Sequence, residues 1–168
     1  GIKHLFEVLH DVLRPASAAE VTIEANPLDI SEASVEAFHR CGINRVSLGV
    51  QSLNALTLST LDRDHREDDV RRVMHLLLDS GFIVSVDLII AAPKQTLDAA
   101  SRDIEAITAL GAQHVSVYCL TWEQGTAFWG KRARGTLMPV AEDIEHEMFE
   151  LAIDRLSSSG YQQYEVSN

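Results

Sequence analysis

Residues 82–90 read Phe-Ile-Val-Ser-Val-Asp-Leu-Ile-Ile, and Ala-Ala-Pro-Lys-Gln-Thr at 91–96 breaks that run and leads into a helical pattern. A nearly continuous apolar run of this length, closed by a proline turn, predicts a strand of a parallel sheet covered on both faces. Working outward, the same unit recurs on either side. Leu5, Val8, Leu9, Val12 and Leu13 repeat at helical spacing up to Pro15, and Val21-Thr-Ile-Glu-Ala-Asn26 then alternates as a strand closed by Pro27. Ser31-Glu-Ala-Ser34 opens the next helix with a cap, Val35, Phe38 and Cys41 form its apolar face, and Gly42 ends it before Asn44-Arg-Val-Ser-Leu-Gly-Val-Gln51. A third helix, interrupted at Asp62-Arg-Asp-His65, runs to Gly81 with Val70, Val73, Met74 and Leu77 inward.

Beyond the deciding strand, Leu97 to Leu110 are helical and stop at Gly111, and His114-Val-Ser-Val-Tyr-Cys-Leu-Thr121 is a further strand. A Gly-rich loop containing Trp129 follows, then a helix from Pro139 to about Ser158, and after Gly160 a short last strand. Strands alternating with helices of this length mean βαβ units, hence an α/β fold with a parallel sheet and right-handed crossovers. Two architectures satisfy the pattern, a doubly wound sheet and a barrel. The polar residues that interrupt the apolar strands, among them Asn26, Gln51, Thr121 and Glu123, fall at strand C-terminal ends, with Asp87 slightly earlier. Both architectures place their sites there.

Composition narrows the function. The 168 residues are 46% hydrophobic and 23% charged, as expected of one globular unit over 1–168. No run approaches the roughly 20 apolar residues that a bilayer requires, and the first residues lack a signal-peptide layout, so the expected location is the cytoplasm. The formal net charge is −11 with no basic stripe, which argues against nucleic-acid binding. Cys41 and Cys119 stand far apart in unlike contexts, and the seven histidines form no H-E-x-x-H pair. No G-x-G-x-x-G, P-loop or G-x-S-x-G motif occurs. The chain opens at Gly1 inside a helical pattern and closes on Tyr-Glu-Val-Ser-Asn, which predicts an excised fragment.

Asp87 and Glu24 interrupt apolar strands, where an ionised carboxylate must be paired or hydrogen-bonded. Asp87 either bonds to backbone or to an arginine such as Arg45 or Arg63, or faces a polar ligand. Gln51 either caps the next helix through Ser52 or serves the same rim. Arg63 and His65 share the helix interruption, where a solvated or salt-bridged cation and a structural histidine are the simpler readings. Trp122 and Trp129 suit a core, a lid, or a surface against a flat ligand. Lys94, just after Pro93 at a strand end, offers an alternative: a βα-barrel lyase or aldolase that uses it as an amine nucleophile.

Taken together, Ile23-Glu-Ala-Asn-Pro27, Asn44-Arg-Val-Ser-Leu-Gly-Val-Gln-Ser52, Asp87-Leu-Ile-Ile-Ala-Ala-Pro-Lys-Gln-Thr96, the segment from His114 to Thr126, and Tyr164-Glu-Val-Ser-Asn168 are similar in order and spacing to one family. The chain resembles the radical S-adenosylmethionine family of oxygen-independent coproporphyrinogen III oxidases and related haem chaperones, over nearly its whole length. Its last two strings look more like the chaperone branch. The resemblance implies an incomplete (β/α)6 TIM-like barrel, about four βα units with the start of a C-terminal segment. It also implies a 4Fe-4S cluster whose unique iron binds S-adenosylmethionine and supports its reductive cleavage to a 5′-deoxyadenosyl radical. By the same resemblance Glu24, Gln51, Arg63, Asp87 and Thr121 are S-adenosylmethionine contacts, with an acidic group for ribose hydroxyls or the ammonium and Arg63 for the carboxylate.

Haem or a porphyrinogen is the implied ligand, and a haem-acceptor protein the implied partner in the chaperone reading. The family's C-x-x-x-C-x-x-C triad and the Gly-rich strand after it do not occur in this sequence, so the cluster ligands lie outside the chain and the fragment alone is expected to be inert. Ala91 and Lys94 stand where the chaperone branch commonly has glycine.

Overall fold

The structure, a computed structural model, describes residues 2–166. Helix α1 (Ile2–Leu13) precedes strand β1 (Thr22–Ala25), a short 3-10 turn (Pro27–Asp29) and helix α2 (Glu32–Arg40). Strand β2 (Arg45–Gln51) leads into α3 (Ala55–Thr60) and α4 (Glu67–Asp79), and β3 (Ile83–Ile90) into α5 (Leu97–Ala109). Strand β4 (His114–Cys119) is followed by α6 (Ala127–Ala133) and α7 (Glu142–Ser158). All four strands are parallel and lie in the order β1-β2-β3-β4.

That order chooses between the two architectures. A doubly wound sheet reverses direction beside its first strand, whereas here every crossover steps the same way, as in a barrel. The fold is an arc of a (β/α) barrel. Val46, Leu48 and Val50 of β2 and Val84, Val86, Leu88 and Ile90 of β3 are buried in one cluster with Met74 and Leu77 of α4, Ile104 and Ile107 of α5, and Met148 of α7. Each such side chain contributes roughly 1.5–3 kcal/mol of burial free energy. Helices α5 and α7 pack along each other outside this layer.

The alternate residues form the other face. Arg45, Ser47, Gly49 and Gln51 are half-buried, and parallel pairing sets Glu24 beside Ser47, Ser47 beside Ser85, and Asp87 beside Ser116. Asp87 itself is only half-buried, so β3 is not sealed on both sides as its apolar run predicts. The cause is the period of two: the same strand that fills the helical interface with Val84, Val86 and Leu88 turns Ser85 and Asp87 toward the barrel interior.

Local chemistry explains the element ends. Ser31 and Ser34 form a reciprocal capping box at α2, and the side chains of Asn54 and Thr96 accept backbone N–H groups at the starts of α3 and α5. Two expectations fail. Residues 127–133, read as loop, form α6, because Thr126 accepts the N–H of Trp129 at 3.2 Å and Gly125 takes a left-handed turn (φ 85) just before it. Residues 161–166 form no strand: Tyr161 donates its hydroxyl to the Ala112 carbonyl and Tyr164 bonds His114, so side chains rather than a backbone ladder tie this segment to β4. Ser167 and Asn168, the end of that expected strand, lie outside the described residues.

Candidate functional site

Four of the five described non-glycine residues with left-handed backbone lie between the end of β2 and the start of α5: Gln51 (φ 65), Asp62 (φ 53), Ala91 (φ 58) and Lys94 (φ 67); the fifth, Arg14 (φ 45), follows α1. Residues with a Cβ pay about 1–2 kcal/mol for this conformation, and such strain gathers at sites that need a fixed loop shape. Ala91 and Lys94, where the resemblance expects the glycine common in the chaperone branch or, at the second position, also the lysine of the oxidase branch, both take φ values that glycine adopts without strain. Lys94 is exposed. Lys94→Gly is therefore expected to raise the unfolding free energy by roughly 0.5 kcal/mol, the relief of strain less the extra entropy of an unfolded glycine. Lys94→Val should lower it, and urea midpoints of the two variants check the sign.

Around these loops the rim residues converge. Arg63 donates from Nη1 to Asn26 Oδ1 at 3.2 Å, and Asn26 Nδ2 donates to Asp29 at 3.1 Å, which joins the loop after α3 to the end of β1. The Gln51 side chain folds back over Gly49: a Cβ at Gly49 would meet Gln51 Nε2 at 3.0 Å and the Asn26 amide oxygen at 3.7 Å. Gly49 thus lets the Gln51 amide lie against the strand, in the space a side chain at 49 would take. Ser47 donates to Asp87 Oδ2 at 3.1 Å, which leaves Oδ1 for another donor. Neither arginine considered from sequence reaches Asp87, since Arg45 pairs with Glu20 at 3.3 Å and Arg63 holds Asn26. Glu24 is exposed with no partner among the described residues, and Thr121 is exposed just past the last ladder contact of β4, the Leu120 N–H to Ile90 oxygen bond at 3.0 Å.

His65 is structural. It is buried and donates from Nε2 to the Val50 carbonyl at 2.8 Å, fixing the strand end beneath Gln51, and burial holds its pKa below the usual imidazole value. Asp103, which sequence reasoning missed, supports the same loop from α5. Its carboxylate accepts Ser52 Oγ at 2.5 Å and the Leu53 N–H at 3.0 Å, and Ser52 Oγ in turn accepts the Asn54 N–H at 3.0 Å. Burial raises the Asp103 pKa above the ordinary carboxylate range, against the opposing hydrogen bonds from Ser52 and Leu53.

A second polar group sits at the opposite end of the strands. Ser85 Oγ and His114 Nδ1 share a hydrogen bond at 2.7 Å, and His114 Nε2 and the Tyr164 hydroxyl share another at 2.8 Å. Burial, then Arg45, lowers the His114 pKa. Polar groups at the N-terminal end of barrel strands serve stability rather than chemistry. Two cavities are also present, one of about 990 Å³ between α3, α4 and α5 that is lined in part by Arg63 and His65, and one of about 760 Å³ between β4, α7 and residues 161–166. Neither takes in Glu24, Gln51, Asp87 or Thr121.

The site therefore holds two carboxylates, an amide packed on Gly49, and a guanidinium on one rim. A sequence model of the radical SAM superfamily matches residues 3–107, the stretch that supplies Glu24, Gln51, Arg63 and Asp87. The chain belongs to the radical SAM superfamily. It is 38% identical over 150 residues to "Heme chaperone HemW" of Lactococcus lactis, covering 89% of this chain and 40% of that protein. Against the protein of the same name from Bacillus subtilis it is 34% identical over 169 residues, 99% of this chain and 45% of the relative. Among solved structures it is similar to coproporphyrinogen III oxidase (HemN) from Escherichia coli, described as a radical SAM enzyme. The TM-score is 0.84 at 25% identity, over 96% of this chain and 37% of that one. The chain thus spans less than half the length of these relatives.

The superfamily uses S-adenosylmethionine with a 4Fe-4S cluster. The rim fits the first: the free Asp87 Oδ1 and the exposed Glu24 carboxylate suit a ligand bearing an ammonium and hydroxyls. It does not fit the second. Cys41 is buried at the end of α2 and Cys119 lies at the end of β4, and no group of three or more metal-ligating side chains occurs among the described residues. No helix among the described residues is long and apolar enough to cross a membrane.

Proposed function

We propose that this chain is the S-adenosylmethionine-binding part of the barrel in a radical SAM protein of haem metabolism, acting in the cytoplasm as a haem chaperone that binds haem and delivers it to an acceptor protein. The observation that carries the cofactor half is the convergence of Glu24, Gln51, Arg63 and Asp87 on one strained rim. Asp87 Oδ1 and Glu24 accept from the ammonium or ribose hydroxyls, Arg63 meets the carboxylate, and Thr121 borders the adenosyl group. S-adenosylmethionine, held there by these residues, would supply the radical chemistry of the superfamily. The cluster's cysteines would come from sequence other than these 168 residues, and this chain by itself is inert.

The haem half rests on the HemW relatives, whose names state that role. Oxidative decarboxylation of coproporphyrinogen is the second reading, favoured by the structural similarity to HemN. Lys94 as a Schiff-base nucleophile finds no support in its exposed turn. The test is a haem titration of the protein expressed from its complete gene. A saturable Soret shift without turnover of coproporphyrinogen supports the chaperone, and decarboxylation with a flat titration selects the oxidase.

A further inference from the structure

The chain carries a net charge of −11, yet one short helix gathers cations and aromatics together. Of the 14 lysines and arginines in the chain, three fall within residues 131–134, in and just after α6, and three of its large aromatics, Trp122, Phe128 and Trp129, lie beside them. The Arg132 guanidinium stands 5.6 Å from the centre of the Trp122 ring and 5.7 Å from that of Trp129, while Lys131 Nζ lies 5.2 Å from the centre of Phe128. Trp122 and Phe128 meet edge to face at 6.2 Å. Arg132 and Arg134 are exposed and have no ion-pair partner among the described residues. These two arginines are therefore not engaged by neighbouring carboxylates.

This unit is fastened to the rim. The Thr126 hydroxyl donates to the Glu123 carbonyl at 2.7 Å and caps α6, and Lys131 forms an ion pair with Asp62 at 2.9 Å. Asp62 is next to Arg63, so α6 runs from the end of β4 across to the loop after α3, beside the S-adenosylmethionine site. Arg132, set against two indoles, keeps its N–H edge open to solvent, the geometry in which a guanidinium takes a carboxylate bidentately. Aromatic faces beside unpaired guanidinium groups suit a ligand that is flat, apolar across its plane and anionic at its periphery. The surrounding acidic surface repels such an anion, which makes this patch the favourable landing point.

We infer that α6 and Trp122 seat the carboxylate-bearing edge of a tetrapyrrole, with Arg132 and Arg134 holding its carboxylates. The inference rests on the haem-metabolism reading above and adds the place and the chemical group recognised. It is tested by tryptophan-fluorescence quenching of the protein expressed from its complete gene, with coproporphyrin III, its methyl ester and haemin as probes. The free acid and haemin should bind, and the ester at least about tenfold more weakly, a loss of about 1.4 kcal/mol. R132E combined with R134E should weaken the free acid by at least about tenfold without altering the ester, R132K combined with R134K should recover part of the loss, and R40E, on remote α2, should change nothing. Unchanged circular dichroism keeps misfolding apart from lost recognition. If the charge-reversed variant binds coproporphyrin within about twofold of the unaltered protein, or the unaltered protein prefers a nucleoside triphosphate, the seat is elsewhere and the haem reading still stands. Failure of the unaltered protein to bind either tetrapyrrole overturns both.

Discussion

Asp103→Ala is expected to lower the unfolding free energy by about 3 kcal/mol and the thermal midpoint by roughly 10 °C. The carboxylate is 5% exposed and receives Ser52 Oγ and the Leu53 N–H, and Ser52 is itself fully buried. Alanine leaves two buried donors without acceptors, each costing about 1–3 kcal/mol. Asp103→Asn should cost far less, since its amide oxygen still accepts from Leu53 and its NH₂ can donate to Ser52. Equal destabilisation by both variants in urea would show that charge, not hydrogen bonding, is what the loop requires.

The same residue sets a pH dependence with a definite sign. Burial raises its folded pKa above the unfolded carboxylate value, so in the window between the two the native state binds the extra proton. Its contribution to stability is full below that window and is lost as pH rises through it. Asp103→Asn removes this titration, and the difference between the two stability–pH curves should flatten on the alkaline side of the window.

Why this residue escaped sequence reading is instructive. Asp103 occupies the middle of an amphipathic helix, where an acidic residue looks like solvent-facing surface, and its partner Ser52 is 51 positions away. Strand-end strings were legible because each couples a period-of-two pattern to a local breaker. The barrel winding was not, because strand order is a property of pairing between distant segments. Likewise the apolar neighbours of Asp87 concealed its open face, and α6 was hidden by its short length: it is stabilised by the Thr126 cap and the Lys131–Asp62 pair rather than by an apolar stripe. The glycine-for-Ala91 and glycine-for-Lys94 comparison was visible in sequence, but only the positive φ angles give it a cause.

Removing the rim's charges should separate binding from folding. Asp87→Ala and Arg63→Ala are each expected to weaken S-adenosylmethionine by about 30-fold, the roughly 2 kcal/mol of one charge-assisted hydrogen bond, as measured by calorimetric titration of the protein expressed from its complete gene. Both should leave stability within about 1 kcal/mol, because Arg63 is exposed, and Ser47, the donor to Asp87, is only half-buried and can turn to solvent. Arg63→Ala has one further consequence: Asn26 loses its contact to the loop after α3, so Asn26→Ala should reproduce a small part of the affinity loss but not all of it. Gly49→Ala approaches the same site without touching any charge. The added methyl meets the Gln51 amide at 3.0 Å, a flexible group that can move at little cost to the fold, yet the movement takes that amide from its place on the rim beside Asn26. Weakened binding at unchanged stability in all four variants identifies the rim as the cofactor site. Affinities within about twofold of the unaltered protein would leave the strained loops without a ligand to explain them.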